Sequence, residues 1–252
     1  MDIAHEAALL WGTFLLRPYV FAFLAGFLVA GALDLGARRT LAFGAIVWPL
    51  AWLSEFSSTR TGIPFGYYAY TGATRGRELY LADVPLMDCL SFTFLAYASL
   101  CLARLTLGQG ERRRWPIALA AGFFMMAIDV VIDPLAVRGE RWFLGRIFEY
   151  PAGGVYFGVP LSNFCGWWLV GTAGVGLFLA LGGGVTGRLL WPGVTLYYAV
   201  LGFNATMTAL IGEGRLMLAG LAIHAALLLA LVYVGRRAAP RRGLGARRVQ
   251  RA

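Results

Sequence analysis

"WPIALAAGFFMMAIDVVIDP", residues 115–134, is the stretch on which the fold turns. From Trp115 to Ile128 it carries no charge; then come Asp129 and Asp133, four positions apart. On a helix those two carboxylates share one face, about 6 Å apart along the axis. The apolar run before them suits a bilayer core, which ~18–20 such residues cross. An ionised Asp at the centre of such a helix costs about 2.5–3.5 kcal/mol on insertion scales. The stretch therefore reads as a membrane helix that carries acid for a reason.

Working outward, the rest of the chain agrees. Its 252 residues are 59% hydrophobic and only 14% charged, against about 25% charged in soluble domains. The mean hydropathy is +0.68. Apolar stretches at 18–35, 40–57, 86–108, 116–133, 161–181, 192–212 and 216–235 predict spanning helices. The chain is read as all-α, a polytopic membrane bundle of about seven transmembrane helices with two ordered aromatic-rich loops. Residues 18–235 form one transmembrane domain, since the connections are too short to hold another. Residues 1–17 lack a basic leading region and are interrupted by Arg17, followed by Pro18. They read as a helix lying at the interface rather than a secretory signal. Residues 236–252, arginine-rich with Pro and Gly, read as a disordered tail.

The net charge of +9 is placed for topology rather than for nucleic acid. Arg38 and Arg39 follow the first span, Arg112 to Arg114 the third, Arg188 the fifth, and the tail the seventh. With seven spans these share one side, which is then cytoplasmic, and the tail can touch anionic lipid. The expected location is a bacterial inner (plasma) membrane with a cytoplasmic C-terminus. Cys89, Cys101 and Cys165 match no metal spacing and predict no disulfide. His5 and His224 stand alone, so no metal site is expected. Asn204-Ala-Thr206 fits a glycosylation pattern inside a span and is discounted. No dinucleotide fingerprint, P-loop or hydrolase triad appears.

The two long loops, 58–85 and 134–160, then face the extracytoplasmic side. Both are dense in Tyr, Phe, Trp, Gly and Pro. They are either interfacial aromatic belts or lids folded over an apolar cavity. An internal echo favours lids. Glu55 precedes one aromatic loop that re-enters at "VPLMD", 84–88; Asp133 precedes another that re-enters at "VPLSN", 159–163. Proline opens helices readily, so both triplets read as helix starts. The echo places Asp88 and Asn163 at matching positions near Glu55, Asp129 and Asp133.

Two accounts of the carboxylates stay open. They can be ion-paired, Asp129 and Asp133 with Arg138 or Arg141, and Glu55 with Arg60. Alternatively, low dielectric and like-charge proximity keep a proton on at least one. A neutral carboxylic acid facing an aromatic-lined cavity can protonate a hydrophobic substrate.

At these residues the chain resembles the membrane-embedded carotenoid biosynthesis protein family. The resemblance rests on Glu55 with "TGIPFGYYAY" and "VP", on "DVVIDP" at 129–134, on Trp142, and on "YFGVPLSNFCGW" at 156–167. It runs over about residues 50–170. The chain departs from the pattern at "MDCLSF", 87–92, where the resemblance leads one to expect tryptophan. The resemblance implies a carotenoid hydratase acting on acyclic end groups, a hydro-lyase. Such an enzyme protonates the terminal C1–C2 double bond and captures the tertiary cation with water, needing no cofactor and no metal. Asp129 and Asp133 would divide acid and water-orienting roles, with Glu55 the other candidate acid. Phe65, Tyr68, Tyr70, Trp142, Tyr156 and Trp167 would line the cation pocket; Asn163 would hold the water, and Asp88 lies beside it. The implied partners are a linear carotenoid (lycopene-like or gamma-carotene-like), water, membrane lipid and other enzymes of the same pathway. Three alternatives remain in view: a different isoprenoid-modifying enzyme, a proton-coupled transporter using the same carboxylates, and a non-catalytic membrane subunit.

Overall fold

The computed structural model describes residues 3–238. Among them are eight α-helices: α1 (Ile3–Leu16), α2 (Pro18–Asp34), α3 (Ala37–Thr61), α4 (Leu86–Leu107), α5 (Arg114–Ala136), α6 (Leu161–Ala180), α7 (Trp191–Leu210) and α8 (Gly214–Ala238). The seven from α2 onward fall where the apolar stretches predict them. By length and apolar composition alone, four helices can cross a membrane, or five if the bent pair α1 and α2 is one span. The expected number of crossings was about seven; the helices α3 and α7 belong to the same bundle but are less apolar. The tail expected to be disordered from residue 236 begins instead as the end of α8, which runs to Ala238, and from residue 239 on it lies outside the described residues.

Besides α8, two helices that bear on the site overrun their expected ends. The helix α3 continues to Thr61, where Gly62 closes it in the left-handed conformation (φ 78°) and donates its N–H to Ser58 O. Glu55 is therefore more than a turn inside the helix. The helix α5 runs through Pro134 to Ala136, so Asp133 is in its last turn rather than at its limit.

The bundle is built around α4, which packs against α2, α3, α5, α6 and α7. It buries nearly every side chain from Phe92 to Arg104. Its Ala96, Ala98, Ser99 and Ala103 admit close neighbours, as small residues do where lipid offers no hydrophobic drive to association. The closest approach elsewhere is between α5 and α6. A Cβ on Gly122 would sit 2.4 Å from Trp168 O, and one on Gly171 would sit 3.0 Å from Gly122 Cα. This glycine contact fixes the antiparallel register. Two turns farther along, about 10.5–12 Å by helical rise, it brings Asp129 opposite Asn163.

The loops between α3 and α4 and between α5 and α6 fold onto the same end of the bundle. They join through a short antiparallel pair, β1 (Ala69–Tyr70) with β4 (Phe148–Glu149). Within the first loop β2 (Tyr80–Leu81) pairs with β3 (Val84–Pro85), and in the second Tyr156 bridges Val159. The two VPL triplets occupy equivalent places. Pro85 and Pro160 are the N-caps of α4 and α6, and Val84 and Val159 are fully buried. Each turn before them contains a non-glycine residue at positive φ, Ala82 (56°) and Phe157 (50°). The helix α1 meets α2 at 90° and covers the first loop, where Leu79 N donates to Thr13 Oγ1 at 2.8 Å.

Candidate active site

Four helix ends converge under the joined loops. The C-terminal parts of α3 and α5, within about two turns of their ends, supply Glu55, Asp129 and Asp133; the first turns of α4 and α6 supply Asp88 and Asn163. The positive ends of the α4 and α6 dipoles thus point at the acidic groups.

Asn163 Nδ2 donates to Asp129 Oδ2 at 2.8 Å and to Asp133 Oδ2 at 2.7 Å. An amide nitrogen has two hydrogens, so both are spent on the pair and only Oδ1 is left for a further partner. Asp129 is fully buried, and its Oδ1 has no hydrogen-bond partner among the described residues. From the other two helices, Glu55 Oε2 accepts from the Tyr70 hydroxyl at 3.0 Å, and Tyr70 also interacts with Asp88. Burial, then the neighbouring Asp88 and Glu55, push the Tyr70 phenol well above its usual range. Burial does the same to Tyr150, seconded by Asp133 and Asp129. Both phenols therefore stay protonated donors.

The ion-pair account of these carboxylates does not hold. Arg60 pairs with Asp83 at 2.6 Å, and Arg138 and Arg141 pair with Glu213. Among the described residues none of Glu55, Asp88, Asp129 and Asp133 has a cationic partner. Burying each as an isolated anion would cost several kcal/mol.

Next to these groups is a cavity of about 110 Å³. Glu55, Asp88, Asp133 and Asn163 supply its polar wall; Phe65, Tyr68, Tyr70, Trp142 and Trp167 supply aromatic faces. Trp167 stacks on Phe92 with ring centres 4.2 Å apart and planes 10° apart. The "MDCLSF" stretch thus contributes a ring through Phe92. The Tyr68 hydroxyl is buried without a hydrogen-bond partner among the described residues. Phe65 and Tyr68 are buried, while Trp142 is only half-buried.

Two of the expected residues stand apart. Asp129 does not line the cavity; it sits behind Asp133 and Asn163. Tyr156 also misses it, packing half-buried on Phe157 and Phe164. Conversely, Tyr19, Phe23, Tyr150, Phe203 and Asn204 line the cavity without having been singled out for it. Tyr19 and Phe23 stand at i, i+4 on α2, a spacing that ordinary core packing also produces. Asn204, legible only as a discounted glycosylation pattern, donates to Val200 O at 2.9 Å and faces the same space.

Comparison with known proteins gives two positive findings. Residues 11–234 match the family described as "Carotenoid biosynthesis protein". The chain is also 32% identical over 226 residues to the bisanhydrobacterioruberin hydratase of Haloarcula japonica, covering 82% of this chain and 70% of that one. No solved structure matches it.

Proposed function

Because the chain belongs to the carotenoid biosynthesis protein family, we propose that this integral membrane protein is a carotenoid hydratase. It adds water across the terminal C1–C2 double bond of an acyclic carotenoid end group. One observation carries the reading: three carboxyl groups without an ion-pair partner among the described residues, Glu55, Asp88 and Asp133, line a small cavity faced by aromatic rings, with Asp129 behind them. The Haloarcula relative, a hydratase by name, supports the same reaction class.

Asp133 is the proton donor, since it faces the cavity while Asp129 lies behind it. Its proton goes to C2 of the alkene, leaving a tertiary cation at C1. Tyr68 and the outer face of the Trp167–Phe92 stack present π-surface to that charge, a contact worth ~2 kcal/mol or more when desolvated. A water held by Asn163 Oδ1 and the Tyr68 hydroxyl adds its oxygen to C1. Its spare proton passes to the Glu55–Tyr70–Asp88 group and returns within the carboxyl set to Asp133. The sum is alkene plus water to tertiary alcohol. The reaction is redox-neutral and calls for no redox cofactor.

Expression in a lycopene-producing host tests this, with pigments resolved by mass. The wild type should add one water per modified end. Asp133→Asn keeps size and hydrogen bonding but loses the acid, so hydration should fall by about 10²–10⁴-fold with the protein still made. Glu55→Gln checks whether the donor lies in the other carboxyl group. Normal conversion by Asp133→Asn and Asp129→Asn alike would make the pair structural and the mechanism wrong.

A further inference from the structure

A cavity of about 110 Å³ cannot enclose a long polyene, since pockets that bury drug-sized ligands run to ~300–1,000 Å³. Only the end group fits, and the remaining chain has to leave along some path. Two helices offer one. The α2 side of the cavity is formed by Tyr19, Val20 and Phe23, and the α7 side by Val200, Phe203 and Asn204. One turn farther along the same two helices lies an open groove of about 530 Å³. It is lined by Gly26, Val29 and Ala30 on α2 and by Thr195, Leu196 and Ala199 on α7.

The register sets cavity and groove along one stripe of α2 and α7, a seam between the two helices. Tyr19, Phe23, Gly26 and Ala30 follow i+4, i+3, i+4 spacing, a single stripe on α2. On α7, Val200 and Leu196 are likewise a turn apart. From Tyr19 to Ala30 the seam extends about 16 Å by helical rise, roughly half of a ~30 Å hydrocarbon core. Gly26 and Ala30 keep the α2 wall of the groove low. Gly26 has no side chain, and a Cβ there would already sit 3.2 Å from Leu196 Cδ1. None of the groove-lining residues is charged, and Thr195 is the one with a hydroxyl.

We propose that the α2–α7 seam holds the hydrocarbon chain of a linear polyene whose terminal alkene sits among the carboxyl groups, the chain lying along Gly26, Ala30, Leu196 and Ala199. The proposal rests on the carotenoid reading of the cavity. A lipid acyl chain has similar chemistry, so the test must separate the two occupants.

Ala199 is exposed, so Ala199→Trp fills the groove without entering the bundle core. Thr195→Trp, also exposed, makes the same test a turn away should Ala199→Trp not fold. Leu169→Trp, on the exposed face of α6 (Leu169 60% exposed), is the control. Lycopene is the probe, with two readouts: pigment retained by the purified protein, and water added to it. The groove variants should lose retention by about tenfold, ~1.4 kcal/mol, and hydration with it, while Leu169→Trp keeps both. Undiminished retention in folded groove variants would assign the groove to lipid and overturn the proposal, as would a wild type that retains no lycopene. A wild type that retains lycopene without hydrating it would sink the hydratase reading, while retention by the variants still decides the seam.

Discussion

Asn163 is the residue on which the carboxyl pair depends. Its Nδ2 is the donor to both aspartates, and the three side chains are almost wholly buried. Asn163→Ala should leave two buried acceptors without that donor, at a cost of about 1–3 kcal/mol for each one left alone. Asp133→Asn replaces one acceptor by an amide of the same shape and should cost much less. Thermal unfolding in detergent, run beside the pigment assay, should therefore separate them. Asn163→Ala loses stability and activity together; Asp133→Asn loses activity at nearly wild-type stability. An Asn163→Ala protein as stable as the wild type would show that the pair is not held by this amide. Much of the site was legible at this scale. The i, i+4 spacing put Asp129 and Asp133 on one face, and the echo of "VPLMD" in "VPLSN" put Asp88 and Asn163 among them. What spacing could not say is which aspartate faces the cavity. That depends on where α4 and α6 pack around α5, and it turns the pair so that Asp133, not Asp129, meets the open space.

At the scale of elements, the loops are held by contacts between segments far apart in sequence. Arg17, at the bend between α1 and α2, is fully buried. It donates through Nη2 to Glu78 Oε1 at 3.2 Å in the first loop and through Nη1 to Leu144 O at 2.7 Å in the second. One side chain thus ties both loops to the N-terminal hinge. Arg17→Met would strand the Glu78 carboxylate, 1% exposed, and breaking a buried pair from one side costs about 3–5 kcal/mol. The double variant Arg17→Met/Glu78→Leu removes both charges and should recover most of that loss. Limited proteolysis at the loops and thermal unfolding would check it; a double variant no better than the single one would deny the pairing. The helices themselves were readable because their signals are local: apolar runs and prolines at starts. Arg17 was readable only as an interruption of an apolar run. Its partners lie 61 and 127 residues away, and no periodicity links such positions. The same holds for the β1–β4 pairing that joins the loops.

At the scale of the whole molecule, the two ends of the bundle differ in charge and in chemistry. The loop end carries the carboxyl groups, and most of its arginines are paired: Arg17 with Glu78, Arg60 and Arg75 with Asp83, Arg138 and Arg141 with Glu213, and Arg146 with Glu149. The opposite end is closed by a buried pair, Arg104 with Asp34 at 2.9 Å. It also carries Arg38, Arg39, Arg112, Arg113 and Arg188, which make no ion pair among the described residues. Carboxyl groups confined to one end, with a closed ion pair at the other, do not form the polar path through both leaflets that a transporter requires. From the unpaired arginines beside the spans and the arginine-rich tail we propose that the second end is cytoplasmic, by the positive-inside tendency and by attraction to anionic lipid. Single cysteines test this orientation. Cys89 and Cys101 are buried and Cys165 is exposed, so the background is Cys165→Ser. Arg75 and Arg112 are both exposed and stand at opposite ends. A membrane-impermeant maleimide applied to intact cells should modify Arg75→Cys and spare Arg112→Cys until the cells are lysed. The reverse pattern, or equal modification of both before lysis, would overturn the orientation and place the carboxyl cavity at the cytoplasmic face.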